Sequence, residues 1–240
     1  MRNPTTMRIL VVNPNSTASM TGRIGAAASK VAAPGTEIVA TNPPTGPASI
    51  EGYYDEALAV PGLLAEIDRH QRGGDIAGTV IACFDDVGLD AARSLADAPV
   101  IGICEAAMQT AALLGGRFSV VTTLPRSIPA LERLAQRYGM AGRCTIRAAG
   151  VPVLALEDPE SGAVERVRAE IRRAMEQDGA ETIVLGCAGM ADLARALSEE
   201  MGLPVIDGVT AAVKLVEGLA ALGLRTGKSG GYAPPLPKAR

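Results

Sequence analysis

One pattern occurs twice in this 240-residue chain, first as Thr79-Val80-Ile81-Ala82-Cys83 and again as Thr182-Ile183-Val184-Leu185-Gly186-Cys187. In both copies an apolar, largely β-branched run ends at a cysteine. A continuous apolar run, in contrast to an alternating one, is typical of a strand that is buried on both faces of a parallel sheet. We therefore predict that each cysteine lies at the carboxyl end of a buried strand.

The repeat extends on both sides of this pattern. Each copy is followed by a helix pattern rich in Ala, Leu and Arg, then by a Pro-Val-Ile strand pattern (residues 99–101 and 204–206), then by an Ala-rich helix pattern. Upstream of each copy, residues 8–16 correspond to residues 117–127. Because four blocks recur in the same order at a nearly constant offset, we infer that one α/β unit is used twice.

Strand and helix patterns alternate along the chain, which predicts parallel α/β sheets with right-handed crossovers. The predicted strands are residues 8–12, 37–41, 78–83, 100–103, 119–123, 144–148, 182–186 and 205–206. The predicted helices are residues 17–31, 53–70, 89–95, 105–114, 128–138, 163–177, 190–201 and 210–222. Pro61 is expected to kink or split the second helix, because proline removes a helix hydrogen bond.

The repeat predicts two α/β lobes that are related by a pseudo-twofold axis, with the active site in the cleft between them. The Ala-rich helix after each Pro-Val-Ile strand is expected to cross to the other lobe. One lobe then comprises residues 7–103 with 205–225, and the other comprises residues 104–204. Residues 1–6 and the Gly/Pro-rich residues 226–240 are predicted to be disordered tails.

The composition excludes several classes of function. A net charge of −3, with four Tyr, two Phe and no Trp, argues against a nucleic-acid partner. The one histidine, His70, is predicted in the solvated last turn of a helix, which leaves no His-rich zinc site. No lysine falls at a predicted strand end and no two cysteines form a CxxC motif, so neither a Schiff base nor a thiol-bound metal is expected.

The location of the protein is also constrained by sequence patterns. The N-terminus lacks the apolar core of a signal peptide, and no apolar run is long enough to cross a membrane. We therefore expect reduced thiols, a cytoplasmic location and no membrane partner.

The repeat places Cys83 and Cys187 at equivalent strand ends, where both are expected to face the cleft. A nearby helix N-terminus and free backbone N–H groups would lower the pKa of such a thiol toward neutrality. Two opposed thiols suit racemisation, in which one takes a proton from carbon and the other delivers a proton to the opposite face. The alternative is that both are ordinary core cysteines. Cys104 and Cys144 have no repeat partner and are predicted to be core.

Six segments carry a resemblance to a known family. They are Asn13-Pro14-Asn15-Ser16-Thr17 and residues 46–52, 82–89, 121–123, 185–190 and 204–209. Together they resemble the hydantoin racemases, which belong to the aspartate/glutamate racemase superfamily and include the allantoin racemases. The resemblance runs from about residue 7 to residue 224. It implies racemisation at C5 of 5-substituted hydantoins without metal, pyridoxal phosphate or nucleotide, with Cys83 and Cys187 as the catalytic pair, in a homo-oligomer.

Loss of the C5 proton from a hydantoin leaves a delocalised enolate, which needs fixed hydrogen-bond donors. The expected donors are the backbone N–H groups of Phe84, Asp85, Ala188 and Gly189 and the side chains of Asn13, Thr122 and Thr123. The matched segments add Ser16, Ser49 and Gly186 to the expected substrate-binding set. Helix capping is the alternative role for Asn13 and Ser16. Asp85 and Asp86 either cap the following helix or orient Cys83.

The residues beside the two thiols favour a neutral substrate. An amino-acid racemase needs groups for a carboxylate and an ammonium, and no Arg or Lys adjoins either cysteine. Arylmalonate decarboxylases resemble the same superfamily but keep only the second cysteine, so Cys83 argues against them. Two alternatives stay open: another two-thiol isomerase, such as an aspartate racemase or a maleate isomerase, and a non-catalytic module that binds a small metabolite.

Overall fold

The computed structural model describes residues 6–237, which form two four-stranded parallel sheets. The first sheet has the strand order β2-β1-β3-β4 and the second has the order β6-β5-β7-β8. The strands are β1 Met7–Val12, β2 Thr36–Thr41, β3 Ile76–Ile81, β4 Val100–Gly102, β5 Phe118–Thr122, β6 Cys144–Ala148, β7 Thr182–Gly186 and β8 Val205–Asp207. The helices are α1 Ala18–Val31, α2 Tyr53–Gln71, α3 Leu89–Leu95, α4 Ile103–Leu114, α5 Ile128–Arg137, α6 Ala163–Arg173, α7 Ala194–Met201 and α8 Gly208–Ala221. The predicted fold class is confirmed.

The hydrogen-bond register relates the two sheets residue by residue. Val12 pairs with Ile81 in the first sheet. Val121 pairs with Leu185 in the second. The residues that directly follow Val12 and Val121 are therefore equivalent, and so are the two cysteines that follow β3 and β7. Because these central strands are buried on both faces, their side chains are apolar almost throughout.

Two helices cross between the sheets. α4 follows β4 of the first sheet but packs against β7 and β8 of the second. α8 follows β8 of the second sheet but packs against β3 and α1, and it also contacts α4. The assignment of residues 205–207 to the first lobe is wrong, because β8 forms a parallel ladder with β7. Only the helix crosses, so the second segment of the first lobe begins at Gly208.

Three helices differ from their predicted form. α2 is continuous, so the expected split at Pro61 does not occur; Leu63 and Ile67, which follow the proline, are buried against the first sheet. α6 passes into a π-helical turn at Ala174–Asp178. Ala188–Met190 forms a 3-10 turn, so α7 starts later than predicted. Among the described residues, no helix is both long and apolar enough to cross a membrane.

The C-terminal segment is ordered where it is described. The prediction of a disordered tail is wrong for residues 226–232, which run beside α3 and contact it or the residues that follow it. The Lys228 ammonium donates to the Arg93 carbonyl at 2.7 Å, and the Tyr232 hydroxyl donates to the Asp90 carboxylate at 3.0 Å. A Gly/Pro-rich composition does not reveal such contacts, because they depend on groups that α3 presents. Residues 1–5 and 238–240 of the predicted tails lie outside the described residues.

Candidate active site

A cavity opens where the carboxyl ends of β1, β3, β5 and β7 meet. Its empty volume, including the mouth, is about 420 Å³. The lining residues are Asn13, Asn15, Met20, Ile50, Ala82, Cys83, Phe84, Asp85, Thr122, Thr123, Ser127, Val153, Gly186, Cys187 and Ala188. This is the position at which open parallel sheets bind ligands, outside the carboxyl ends of their strands.

The two cysteines singled out by the repeat both line this cavity, one from each sheet. Both are free thiols and partly exposed. The backbone N–H of Asp85 donates to the thiol of Cys83, and that of Gly189 donates to the thiol of Cys187. Each sulfur is therefore held by the N–H group two residues further along, as the repeat requires.

Burial outweighs these hydrogen bonds in setting the acidity of the thiols. It raises the pKa of Cys187 to about 11 and holds the pKa of Cys83 well above its usual value. The charge of Asp85 raises the pKa of both thiols further. The expectation of a pKa lowered toward neutrality is therefore wrong. A thiolate with a raised pKa is present in smaller amount at neutral pH, but it is a stronger base toward a carbon-bound proton.

The other two cysteines lie outside the cavity lining. Cys104 is fully buried in the core at the start of α4, as predicted. Cys144 is also predicted to lie in the core, but it is only half-buried, because β6 is an edge strand that has a neighbour on one side only.

Asn13 and Thr122 line the cavity at equivalent positions, but their side-chain donors point to other protein groups. The Asn13 amide donates to Asn15 Oδ1 at 2.8 Å and to Thr21 Oγ1 at 3.0 Å. The Thr122 hydroxyl donates to the Gly186 carbonyl at 3.0 Å. Both side chains therefore shape the cavity wall, and their expected role as donors to an enolate is not what this geometry provides.

Three of the predicted binding residues are absent from the cavity lining: Ser16, Ser49 and Gly189. Ser16 anchors the loop after β2, because its backbone N–H donates to the Pro47 carbonyl at 2.9 Å. Ser49 lies in this loop, but the next residue, Ile50, is the one that reaches the cavity. Gly189 contributes only its N–H group, to Cys187. The remaining predicted residues, Phe84, Asp85, Thr123, Gly186 and Ala188, do line it.

Asp86 has a different role from the two that the sequence suggested. Its carboxylate caps α4, accepting hydrogen bonds from the backbone N–H groups of Cys104 at 3.0 Å and Glu105 at 2.9 Å. The Tyr138 hydroxyl donates to the same carboxylate at 2.6 Å. Burial raises the pKa of Asp86 to about 7 despite these donors. The Asp86 carboxylate thus fixes the crossing helix, and it neither caps α3 nor forms a hydrogen bond to Cys83.

Asp85, by contrast, lines the cavity beside the thiols. Burial and the charges of Glu56 and Asp86 raise the pKa of Asp85 to about 7. Among the described residues, no hydrogen-bond donor reaches its carboxyl group.

Sequence reasoning missed six lining residues: Asn15, Met20, Ile50, Ala82, Ser127 and Val153. Ile50 and Val153 come from the loops after β2 and β6, which hold equivalent places in the two halves. The repeat could have indicated this pair, although the loop sequences themselves do not match. The Val153 N–H donates to Glu51 Oε1 at 2.9 Å, so the two loops are joined across the cavity.

Solved structures of similar shape define the class of protein. An allantoin racemase from Klebsiella pneumoniae superposes with a TM-score of 0.95 at 53% identity, covering 98% of this chain and 96% of its own. An allantoin racemase from Pseudomonas fluorescens gives a TM-score of 0.93 at 41% identity, covering 98% of this chain and 99% of its own. The fold is that of these racemases, and the protein is an isomerase, as predicted.

The sequence identifies the family. The model of the Asp/Glu/hydantoin racemase family matches residues 9–216, and the chain belongs to this family. A hydantoin racemase from Rhizobium meliloti is 52% identical over 234 residues, which is 97% of each chain. The resemblance seen in the six sequence segments is thereby confirmed.

Proposed function

We propose that this protein racemises 5-substituted hydantoins, allantoin among them, at C5 by a two-base mechanism. One observation carries the proposal: two thiols at repeat-equivalent strand ends line a single cavity, each held by a backbone N–H group. Relatives named for hydantoin and allantoin support this choice of substrate.

The proposed reaction needs one thiolate and one thiol. The thiolate of one cysteine takes the C5 proton, and the electron pair of the C–H bond moves onto the adjacent carbonyl as an enolate. The thiol of the other cysteine then donates its proton to the opposite face of C5, which inverts the centre and leaves the two cysteines with exchanged protonation states. No cofactor takes part in the proposed cycle.

The chemistry of the cavity supports a neutral ring as substrate. Its lining contains no Arg, Lys or His that could hold a carboxylate. An amino-acid substrate would need such a group, together with one for its ammonium. The lining is apolar or neutral except for Asp85, which fits a hydantoin with its N–H and carbonyl groups.

Proton exchange at C5 tests the mechanism directly. Single enantiomers of a hydantoin and of allantoin are incubated in deuterated water, and optical rotation and C5 deuterium are followed together. Cys83→Ser and Cys187→Ser should each lose at least about 10²–10⁴-fold in racemisation, because a hydroxyl is almost never ionised near neutral pH. Cys144→Ser, outside the cavity, is the matched control and should keep the wild-type rate. Wild-type racemisation in either active-site variant would exclude the two-thiol mechanism.

A further inference from the structure

We propose, on the basis of the proposed racemisation, that Asp85 is a third catalytic residue: its protonated carboxyl group donates a hydrogen bond to the carbonyl oxygen next to C5 and stabilises the enolate. The two thiols move the proton, but neither neutralises the charge that develops on oxygen. Of the three side chains expected to donate to this oxygen, Asn13 and Thr122 are engaged with other protein groups.

The position of Asp85 supports this role. It lines the same cavity as both thiols, and it is close enough to each for its charge to raise their pKa values. A carbon held between the two sulfurs therefore lies near this carboxyl group as well. Since no described donor reaches the carboxyl group, its oxygens are available to a substrate.

The electrostatic surroundings favour the neutral acid over the carboxylate. Burial and the negative charges nearby oppose ionisation, and no cation lines the cavity. Glu56 on α2 adds to this effect, since its negative charge raises the pKa of Asp85. One carboxylate oxygen of Glu56 is itself buried without a hydrogen-bond partner that would offset its charge. The titratable groups that face Asp85 are Cys83, Asp86, Glu56, Cys104 and Cys187. Glu56 is in turn faced by Asp55 and Arg133.

The chemical step balances without another reactant. The thiolate takes the C5 proton, the negative charge moves to the carbonyl oxygen, and the O–H of Asp85 shortens its hydrogen bond to that oxygen without giving up its proton. When the second thiol protonates the opposite face, the charge returns through the ring and the hydrogen bond weakens. A buried carboxylic acid that stays neutral near pH 7 is suited to stabilise an enolate in this way.

Two variants separate hydrogen-bond donation from mere loss of charge. Asp85→Asn removes the charge but keeps an N–H donor of similar shape, and kcat/KM should stay within about tenfold of wild type. Asp85→Leu removes both, and kcat/KM should fall by about 10²–10³-fold, as for loss of one oxyanion donor. Far-ultraviolet circular dichroism shows whether each variant is folded, and C5 deuterium exchange measures the rate.

The pH profile provides a second measurement, which a purely structural role would not change. As the pH rises through about 7, Asp85 loses its proton, so kcat/KM of the wild type should fall behind that of Asp85→Asn by about tenfold per pH unit. In Glu56→Gln a negative neighbour is gone, the pKa of Asp85 falls, and the divergence should begin at a lower pH. Thiolate absorbance, titrated in each variant, separates this effect from changes in the thiols.

The outcomes distinguish the proposed role of Asp85 from the proposed racemisation on which it rests. If the wild type exchanges no C5 proton of any hydantoin tested, the proposed racemisation fails and Asp85 has no such role. If the wild type is active, and Asp85→Leu equals Asp85→Asn in rate, the carboxyl group is not a donor to the enolate. Parallel pH profiles for wild type and Asp85→Asn would lead to the same conclusion.

Discussion

Gly102 and Asp207 occupy equivalent positions in the two halves, since Gly102 pairs with Ile81 of β3 and Asp207 pairs with Leu185 of β7. The two halves nevertheless cap their crossing helices differently. The N-terminus of each crossing helix needs an acceptor for its free N–H groups. Asp207 caps α8 from the end of its own strand, with bonds of 2.8 and 2.9 Å. In the other half the cap comes from Asp86, and Gly102 leaves the space that its carboxylate fills.

We predict that Gly102→Ala destabilises the protein by about 1–3 kcal/mol. A Cβ at Gly102 would overlap with Asp86 Oδ1, so the carboxylate would have to leave the helix end. Urea unfolding measures the change. Gly218→Ala within α8 is the matched control, because a Cβ there meets nothing within 4 Å, and its stability should stay equal or rise slightly. Equal stability of Gly102→Ala and wild type would contradict the tight packing.

A second residue-scale prediction concerns stability and pH. Folding raises the pKa of Asp85 from 3.8 to about 7, so the folded state binds a proton more tightly than the unfolded state does. The free energy of unfolding therefore falls as the pH rises from about 4 to about 7. In Asp85→Asn the free energy of unfolding should not fall in this way, because asparagine does not titrate. Above pH 7 this variant should therefore be more stable than the wild type by about 1–3 kcal/mol.

The same comparison at low pH gives the control. Below about pH 3 the Asp85 carboxyl group is largely protonated in both the folded and the unfolded wild type, so the pH-dependent advantage of Asp85→Asn should vanish. Thermal unfolding of both proteins from about pH 3 to about pH 8 measures this dependence. A stability difference that does not change with pH would mean that the carboxyl group is not destabilised by burial.

At the scale of elements, the loops after β2 and β6 decide how well the cavity is closed. Each supplies one apolar residue, Ile50 or Val153, and the hydrogen bond from Val153 to Glu51 joins them. A second bond links the halves nearby, from the Ser19 hydroxyl to Glu157 at 2.9 Å. In the proposed racemisation, loops joined in this way would exclude water from the carbon that reacts, which would strengthen electrostatic interactions there.

We predict that Glu51→Ala raises KM by about 3–30-fold. A hydrogen bond to a charged group contributes about 1.5–3 kcal/mol, and part of this would be lost from closure over the substrate. Glu51→Gln keeps an acceptor oxygen for the Val153 N–H and should lie close to wild type. Steady-state kinetics on one hydantoin enantiomer measures both. If the two variants have the same KM, the joined loops do not contribute to substrate binding.

At the scale of the whole molecule, the exchange of α4 and α8 makes each half incomplete. α4 buries apolar side chains such as Ala107 and Met108 against the partner sheet, and α8 buries Val213 and Val216. Either half alone would expose these faces to water. The hydrophobic stabilisation of each sheet therefore depends on residues from the opposite part of the chain.

We predict that fragments 1–115 and 116–240 do not fold separately but recover structure and activity when they are refolded together. Far-ultraviolet circular dichroism and a cooperative urea transition report folding, and C5 exchange reports the assembled cavity. A fragment that unfolds cooperatively as a monomer would show that the exchanged helices are not required. A mixture in which the second fragment carries Cys187→Ser is the control for C5 exchange that does not depend on the active-site cavity.

What could be predicted from the sequence divides along physical lines. Apolar runs and their order are local properties of the sequence, so the two sheets and the positions of both cavity cysteines could be predicted. Hydrogen-bond partners could not be predicted, because the side chains of Asn13 and Thr122 donate to groups that come close only in the folded chain. The sequence assigns residues 205–207 to the wrong lobe, because a three-residue strand carries too little pattern to specify its neighbour.

Phe84 follows one thiol and Ala188 follows the other, so the two sides of the cavity present a benzyl ring and a methyl group. The two enantiomers of a hydantoin have equal free energy in water, and no catalyst can change that. In the proposed reaction, kcat/KM must therefore be the same for both enantiomers, however unlike the two sides become. Sequence divergence between the halves can therefore change kcat and KM only by the same factor. The enantiomer with the lower KM must have the lower kcat in the same proportion.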